Sequence, residues 1–218
     1  MSLVQRKARP LTRGSGSLRD DRLFIVACDD TYAPKQYFDR FQLTRVKIHV
    51  EPTVDGTSSG PHVLQRLLAI DHEDDDELWM LLDTDHCIRG NHLPSFLAAL
   101  QEAKRQGVQV ALSRPCFEIW LLLHHVEETE VTALADAEAL EKALREHLGH
   151  YNKTNIRAED FPLGSVVLAC GRAERLDASI GGGDIPDGNT TRVYRLLQAI
   201  VAKALPSQLP AELRSLLP

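Results

Sequence analysis

Two carboxylates spaced i and i+2 close the segment MLLDTDHC, where Asp83 and Asp85 follow an apolar run that reads as a buried strand. A second segment, FIVACDD, ends in the same way at Asp29 and Asp30. Residues i and i+2 of an extended chain project to one side, so Asp83 and Asp85 are expected on a common face. Asp29 joins them if the first and third strands are neighbours. Three carboxylates in one low-dielectric crevice repel each other and must protonate or bind a cation. The cation that suits hard oxygen donors is Mg2+ or Mn2+, held by a few carboxylates with several waters retained. Such an ion activates water and stabilises charge on a phosphoryl group, which is the chemistry of phosphodiester cleavage or nucleotidyl transfer. The competing explanation is that these aspartates cap the helices that follow. D-x-D is a common string, and spacing alone leaves both explanations open.

Other polar residues have weaker claims. Glu118 lies in the otherwise apolar run PCFEIWLLLHH, where a lone carboxylate must be paired or ligate something. Arg114, at i−4, is a candidate partner. His86 follows the D-x-D and suits an acid or donor role, although such a histidine is more often a rim residue. His124 and His125 end the same apolar run, a position that suits positive charge, and read as structural. Lys153 and Arg172 are candidate phosphate contacts. Trp79 and Trp120 read as core. GGGD, residues 181–184, lacks the strand-to-helix context of a phosphate loop and is discounted.

The elements that must position these residues follow from periodicity. RLFIVAC, VKIHVE, LWMLLD and VQVALS read as strands by length, Ile/Val content or period-2 alternation. Between them, PKQYFDRF opens on an N1 proline, PHVLQRLLAI carries an apolar stripe, and LPSFLAALQEAKRQG stops at Gly107. Strand and helix alternate, which predicts an α/β fold: a mostly parallel four-stranded sheet with helices on both faces. After about residue 126 the texture changes to amphipathic helices (DAEALEKALREHLG, GSVVLACGRAERLDAS, TRVYRLLQAIVAKAL) with no convincing strand between them. The expected organisation is a flexible basic tail at 1–21, an α/β core at 22–126 and a helical region packed on it at 127–218. The acidic run DHEDDDE reads as a solvated turn.

Composition bounds the rest. The 218 residues are 43% hydrophobic and carry a net charge of −6. Five Lys/Arg and no acid fall within residues 1–19, so the remainder carries −11. The basic tail could add phosphate affinity to an acidic body, which does not look like a high-affinity duplex binder. Four dispersed cysteines without a C-x-x-C pair read mostly as buried thiols of a reducing compartment. No apolar run is long enough to span a membrane, and no signal-peptide pattern opens the chain, so a cytoplasmic location is expected.

The strand, the acidic loop, Tyr37-Phe38, LLDTD and above all SRPCFEIWLLLHH, residues 113–125, resemble the RloB-like proteins, a branch of the Toprim superfamily. The last segment is similar to that family's Ser-Asn-Pro-Cys-Phe-Glu-hydrophobic-Trp-Leu-Leu-Leu-His signature. YNK at residues 151–153 and NTTRVYRLL from Asn189 are weaker echoes, so the resemblance covers nearly all of the chain after the tail. It implies a Toprim-like sheet and a metal-dependent nuclease that cleaves RNA or DNA. It further implies an effector of bacterial phage defence (abortive infection) that works with a partner ATPase. The D-x-D carries over onto Asp83 and Asp85. The family's glutamate does not: Asp29 stands at that position, Asp30 at the following glycine, and Ala33-Pro34 at a Thr-Glu pair. Aspartate is one methylene shorter, and displacing a general base by about 1 Å can slow a reaction on the order of a hundredfold. Replacing the glycine also removes its freedom for positive φ. The site set that follows is Asp29, Asp83, Asp85 and Glu118 for catalysis. Asp29, Asp83 and Asp85 would hold Mg2+ or Mn2+, and Lys153 and Arg114 would contact substrate. The alternative is a catalytically degenerate module that binds nucleic acid or a partner ATPase. The sequence is silent on oligomeric state.

Overall fold

A computed structural model describes residues 21–88 and 90–218. The proposed basic tail lies, apart from its last residue, outside the described residues. Four strands, β1 (Arg22–Cys28), β2 (Val46–Glu51), β3 (Glu77–Asp83) and β4 (Gln109–Arg114), lie parallel in the order β2-β1-β3-β4. β1 and β3 are therefore neighbours, with Cys28 opposite Leu81.

A fifth strand corrects the expectation of four. β5 (Thr190–Thr191) adds antiparallel to β4, Thr191 against Ser113, and the two hydroxyls meet at 2.9 Å. Two residues are too short to show a period, and sequence pattern places them at the start of a helix. The helix that follows, α8 (Val193–Lys203), begins directly after them.

Strand alternation splits the interior into two layers. Phe24, Val26, Trp79, Leu81 and Ala111 face one side, while Ile25, Ala27, Met80, Leu82 and Leu112 face the other. Both faces are apolar because both are covered, which is why the central strands read as continuous hydrophobic runs. The second face is covered by α2 (Gly60–Leu68) and α3 (Leu93–Arg105). Gly60 permits their close approach, since a Cβ there would lie 3.2 Å from a Phe96 ring carbon. α3 stops at Gly107, whose φ of +74° is the left-handed conformation glycine tolerates. The first face takes α1 (Ala33–Phe38), the buried turn α4 (Glu118–Leu122) and the later helices α6 (Ala137–Leu148), α7 (Leu163–Ser179) and α8. A short helix, α5 (Glu128–Thr132), joins α4 to α6 and escapes the sequence reading. α6 opens on Asp136, whose carboxylate accepts the Ala139 N–H, and ends at Gly149 with φ +74°.

PCFEIWLLLHH forms one short α-helix continued by turns rather than a long helix, but every residue from Pro115 to His124 is buried. Trp79 and Trp120 are core, as expected. Residues 71–75 of the acidic run are exposed, as expected of a solvated turn. Cys28, Cys116 and Cys170 are buried free thiols, and Cys87 is partly open. No helix among the described residues is long and apolar enough to cross a membrane.

Candidate active site

The carboxyl ends of β1, β3 and β4 open on a cleft of about 780 Å³, the rim where open α/β sheets bind ligands. Asp29, Asp30, Asp83, Asp85, Glu118 and Lys153 all line it. Its position follows from strand order. β1 and β3 pair with Cys28 opposite Leu81, which brings Asp29, the residue after β1, beside the last residues of β3, and Asp29 Oδ2 accepts the Asp83 backbone N–H at 2.9 Å.

β3 ends at Asp83, and Thr84 begins a turn, so the i, i+2 rule for an extended strand does not extend to Asp85. Asp85 reaches the same cleft by another route. The Arg114–Pro115 peptide is cis, and the Pro115 carbonyl accepts the N–H groups of both Thr84 and Asp85, at 3.0 and 3.1 Å. The end of β4 thus clamps the D-x-D turn. Asp85 in turn accepts the His86 N–H at 2.7 Å, and the His86 ring stands exposed 3.4 Å from Asp85 Oδ2. His86 is a rim residue.

Asp30 answers to the capping explanation, and Asp29 does not. Asp30 Oδ1 accepts the N–H groups of Tyr32 and Ala33 at 2.6 and 3.0 Å, turning the chain into α1. Its other oxygen pairs with the Lys153 ammonium. The worry over a lost glycine is lifted, because Arg45 is the one non-glycine with positive φ among the described residues.

Glu118 is buried and paired, but not with Arg114. It accepts the Tyr151 hydroxyl at 3.0 Å and faces Lys153 Nζ at 3.6 Å. Lys153 therefore bridges Glu118 and Asp30. The Arg114 guanidinium instead donates to the Pro186 carbonyl and does not line the cleft. The i−4 spacing misled because Arg114 ends β4 and α4 begins only at Glu118, and helical spacing rules apply only inside a helix. Arg172 holds the Leu123 carbonyl and Glu127, away from the site.

Charge is the dominant property of the cleft. Burial pushes the Asp29 carboxyl up to about 7, with Asp30 and Asp85 adding and the Asp83 N–H opposing. Burial, then Asp29 and Glu118, push Asp83 well above the carboxylate range. The Asp83 carboxylate accepts no hydrogen bond from any described residue. Part of each side chain still opens on the cleft. Burial would lower Lys153, but Glu118 and Asp30 outweigh it and keep the ammonium charged. Cys87 is pushed up to about 12 and Cys116 higher, first by burial and then by the carboxylates, so neither is a thiolate nucleophile.

The donor chemistry is that of a hard-cation site, all carboxylate oxygens. Among the described residues, no three His, Cys, Asp or Glu side chains stand grouped to hold an ion together. Mg2+ commonly takes only one or two carboxylates and keeps its waters, and the Asp29–Asp83 pair meets that requirement.

Tyr151 is the positioning residue that sequence spacing missed. Its segment, YNK, carried the only signal, and nothing in it pointed to Glu118. No curated protein and no solved structure matches the chain. A family model, that of the RloB-like protein, matches residues 24–200, and the chain belongs to the RloB-like family.

Proposed function

We propose that this RloB-like chain is a divalent-metal-dependent nuclease of Toprim type that hydrolyses a phosphodiester of RNA or DNA. The observation that carries the reading is the Asp29–Asp83 pair: two strand-end carboxylates joined through the Asp83 N–H, raised by burial and repulsion, and open to one cleft. Asp29 and Asp83 would hold Mg2+ or Mn2+, with Asp85 close by on the adjoining turn. When bound, that ion supplies Lewis acidity toward a phosphoryl oxygen and makes a water more acidic. The protein's own residues bind and orient. Pro115 fixes the D-x-D turn, and Asp30 fixes the start of α1. Tyr151 and Lys153 hold Glu118 in the cleft, and the partly exposed Lys153 ammonium would offer positive charge to a bound phosphate. The family resemblance extends the proposal to an effector of abortive infection that works with a partner ATPase.

A second reading, a degenerate module that binds nucleic acid or an ATPase without cleaving, draws on one observation. Asp30 is spent on capping and on Lys153, which leaves few free carboxylates. Cleavage assays on RNA and DNA with Mn2+ or Mg2+ separate the two. The nuclease reading expects wild type to cut one of them and Asp83→Asn to be slower by at least about a hundredfold. Wild type that binds metal yet cuts neither supports the module.

A further inference from the structure

The chain has two Trp, four Tyr and six Phe, and every one of these rings is buried except Tyr32. Tyr32 is 48% exposed and lines the acidic cleft. Its backbone is tied to the site: the N–H donates to Asp30 Oδ1 at 2.6 Å, and the carbonyl accepts the Gln36 N–H at 3.1 Å and Gln36 Nε2 at 3.3 Å. Its phenol makes no hydrogen bond with a described residue. The backbone beneath a large, exposed ring is therefore fixed at the cleft, and the ring itself makes no polar contact with a described residue. A tyrosine put there for packing would be covered like the other eleven rings.

The charges around it restrict what the ring meets. Lys153 is the one Lys or Arg among the described residues that line the cleft, against seven Asp and Glu, and it is already shared by Asp30 and Glu118. A groove of that sign does not track a phosphate backbone by charge. Side-chain charge in the cleft therefore does not supply the affinity, and contact with a base would. Inside a duplex the base faces are stacked on one another and out of reach, whereas an unpaired base offers a free face to an aromatic ring.

We propose that Tyr32 is a stacking platform for an unpaired base, and that the cleft takes single-stranded nucleic acid (a strand, loop or end) rather than duplex. This rests on the nuclease reading of the same cleft and adds its substrate class.

The test uses the full chain and fluorescent mixed-sequence oligonucleotides: single-stranded RNA, single-stranded DNA, and a blunt duplex of each. Binding is read by anisotropy in Ca2+, cleavage in Mn2+, and folding of each variant by thermal melt. The expected result is single-strand binding that Tyr32→Ala weakens by roughly tenfold to a hundredfold, while Tyr32→Phe and Tyr32→Trp retain it. The factor lost should be the same at low and high salt, because stacking is not screened as ion pairs are. The RNA and DNA arms identify the source of the base. Duplex bound as tightly as single strand, or a folded Tyr32→Ala with unchanged single-strand binding, overturns the assignment and leaves Tyr32 as a surface for a protein partner. Single-strand binding lost in Tyr32→Ala with no cleavage by wild type upholds the platform and removes the nuclease reading. Cleavage indifferent to strandedness and to Tyr32 does the reverse.

Discussion

Toward one end of the buried segment Pro115–His124, Glu118 lies near enough to Asp83 to push its carboxyl up, and that carboxylate accepts no hydrogen bond from any described residue. At the other end, His124 has a partner on each ring nitrogen: Tyr37 Oη at 3.1 Å from Nε2 and Ser165 Oγ at 2.8 Å from Nδ1. The histidine network closes on itself. Ser165 gives its proton to the Pro162 carbonyl at 2.8 Å, so it accepts from Nδ1–H, and Nε2 accepts from the Tyr37 hydroxyl. Burial, first, and the nearby cations hold His124 well below its ordinary value, so the ring is neutral. The positive charge expected at this position from helix polarity is absent, because five helical residues provide little dipole and the site is enclosed. The segment thus carries a satisfied polar group, His124, at one end, and at the other it packs near an unsatisfied carboxylate of β3, Asp83, which the proposed function assigns to a cation. Satisfaction, rather than burial, tells the two apart.

The largest effect that would sharpen this contrast is on stability. His124→Ala leaves the Tyr37 hydroxyl and a cavity buried, and should lower stability by about 3 kcal/mol or more. Asp83→Asn should do the opposite in metal-free buffer, raising stability by about 1 kcal/mol by removing like-charge repulsion. Urea denaturation in EDTA measures both. Loss of stability in both variants would erase the distinction.

A smaller effect lies in pH dependence, where the two regions should pull in opposite directions. Folded His124 binds fewer protons than the unfolded ring between its lowered value and 6.5, so its contribution is present at neutral pH and is lost as pH falls below 6.5. Folded Asp29 binds more protons than the unfolded carboxyl between 3.8 and about 7, so metal-free stability falls as pH rises through that window. Each slope is at most about 1.4 kcal/mol per pH unit for a single proton. Denaturation from acid to neutral pH in EDTA should lose the rising component in His124→Gln and the falling component in Asp29→Asn. A profile that neither variant changes would contradict the assigned protonation states.

The four long strands and both apolar faces were legible in sequence because the central strands read as short continuous apolar runs and β2 alternates. The D-x-D and Asp29 were legible as strand-end carboxylates, and their meeting followed once β1 and β3 proved to be neighbours. What was not legible depends on contacts distant in sequence. The partners of Glu118 arrive from Tyr151 and Lys153, 33 and 35 positions later, where no local spacing rule reaches. β5 has two residues and no period. Asp29 and Asp30 are the same residue type side by side, yet one faces Asp83 and the other caps α1. Only the turn geometry after β1 separates them.

The account turns on whether the Asp29 and Asp83 carboxylates hold a divalent cation, and calorimetric titration of Mn2+ into wild type and Asp83→Asn tests that directly. The account predicts a saturable site in wild type that weakens by at least about a hundredfold in the folded variant, since loss of even an outer-shell partner can weaken metal binding by 10–100-fold. Wild type that takes up no Mn2+ at millimolar concentration, or an Asp83→Asn titration indistinguishable from wild type, would contradict it.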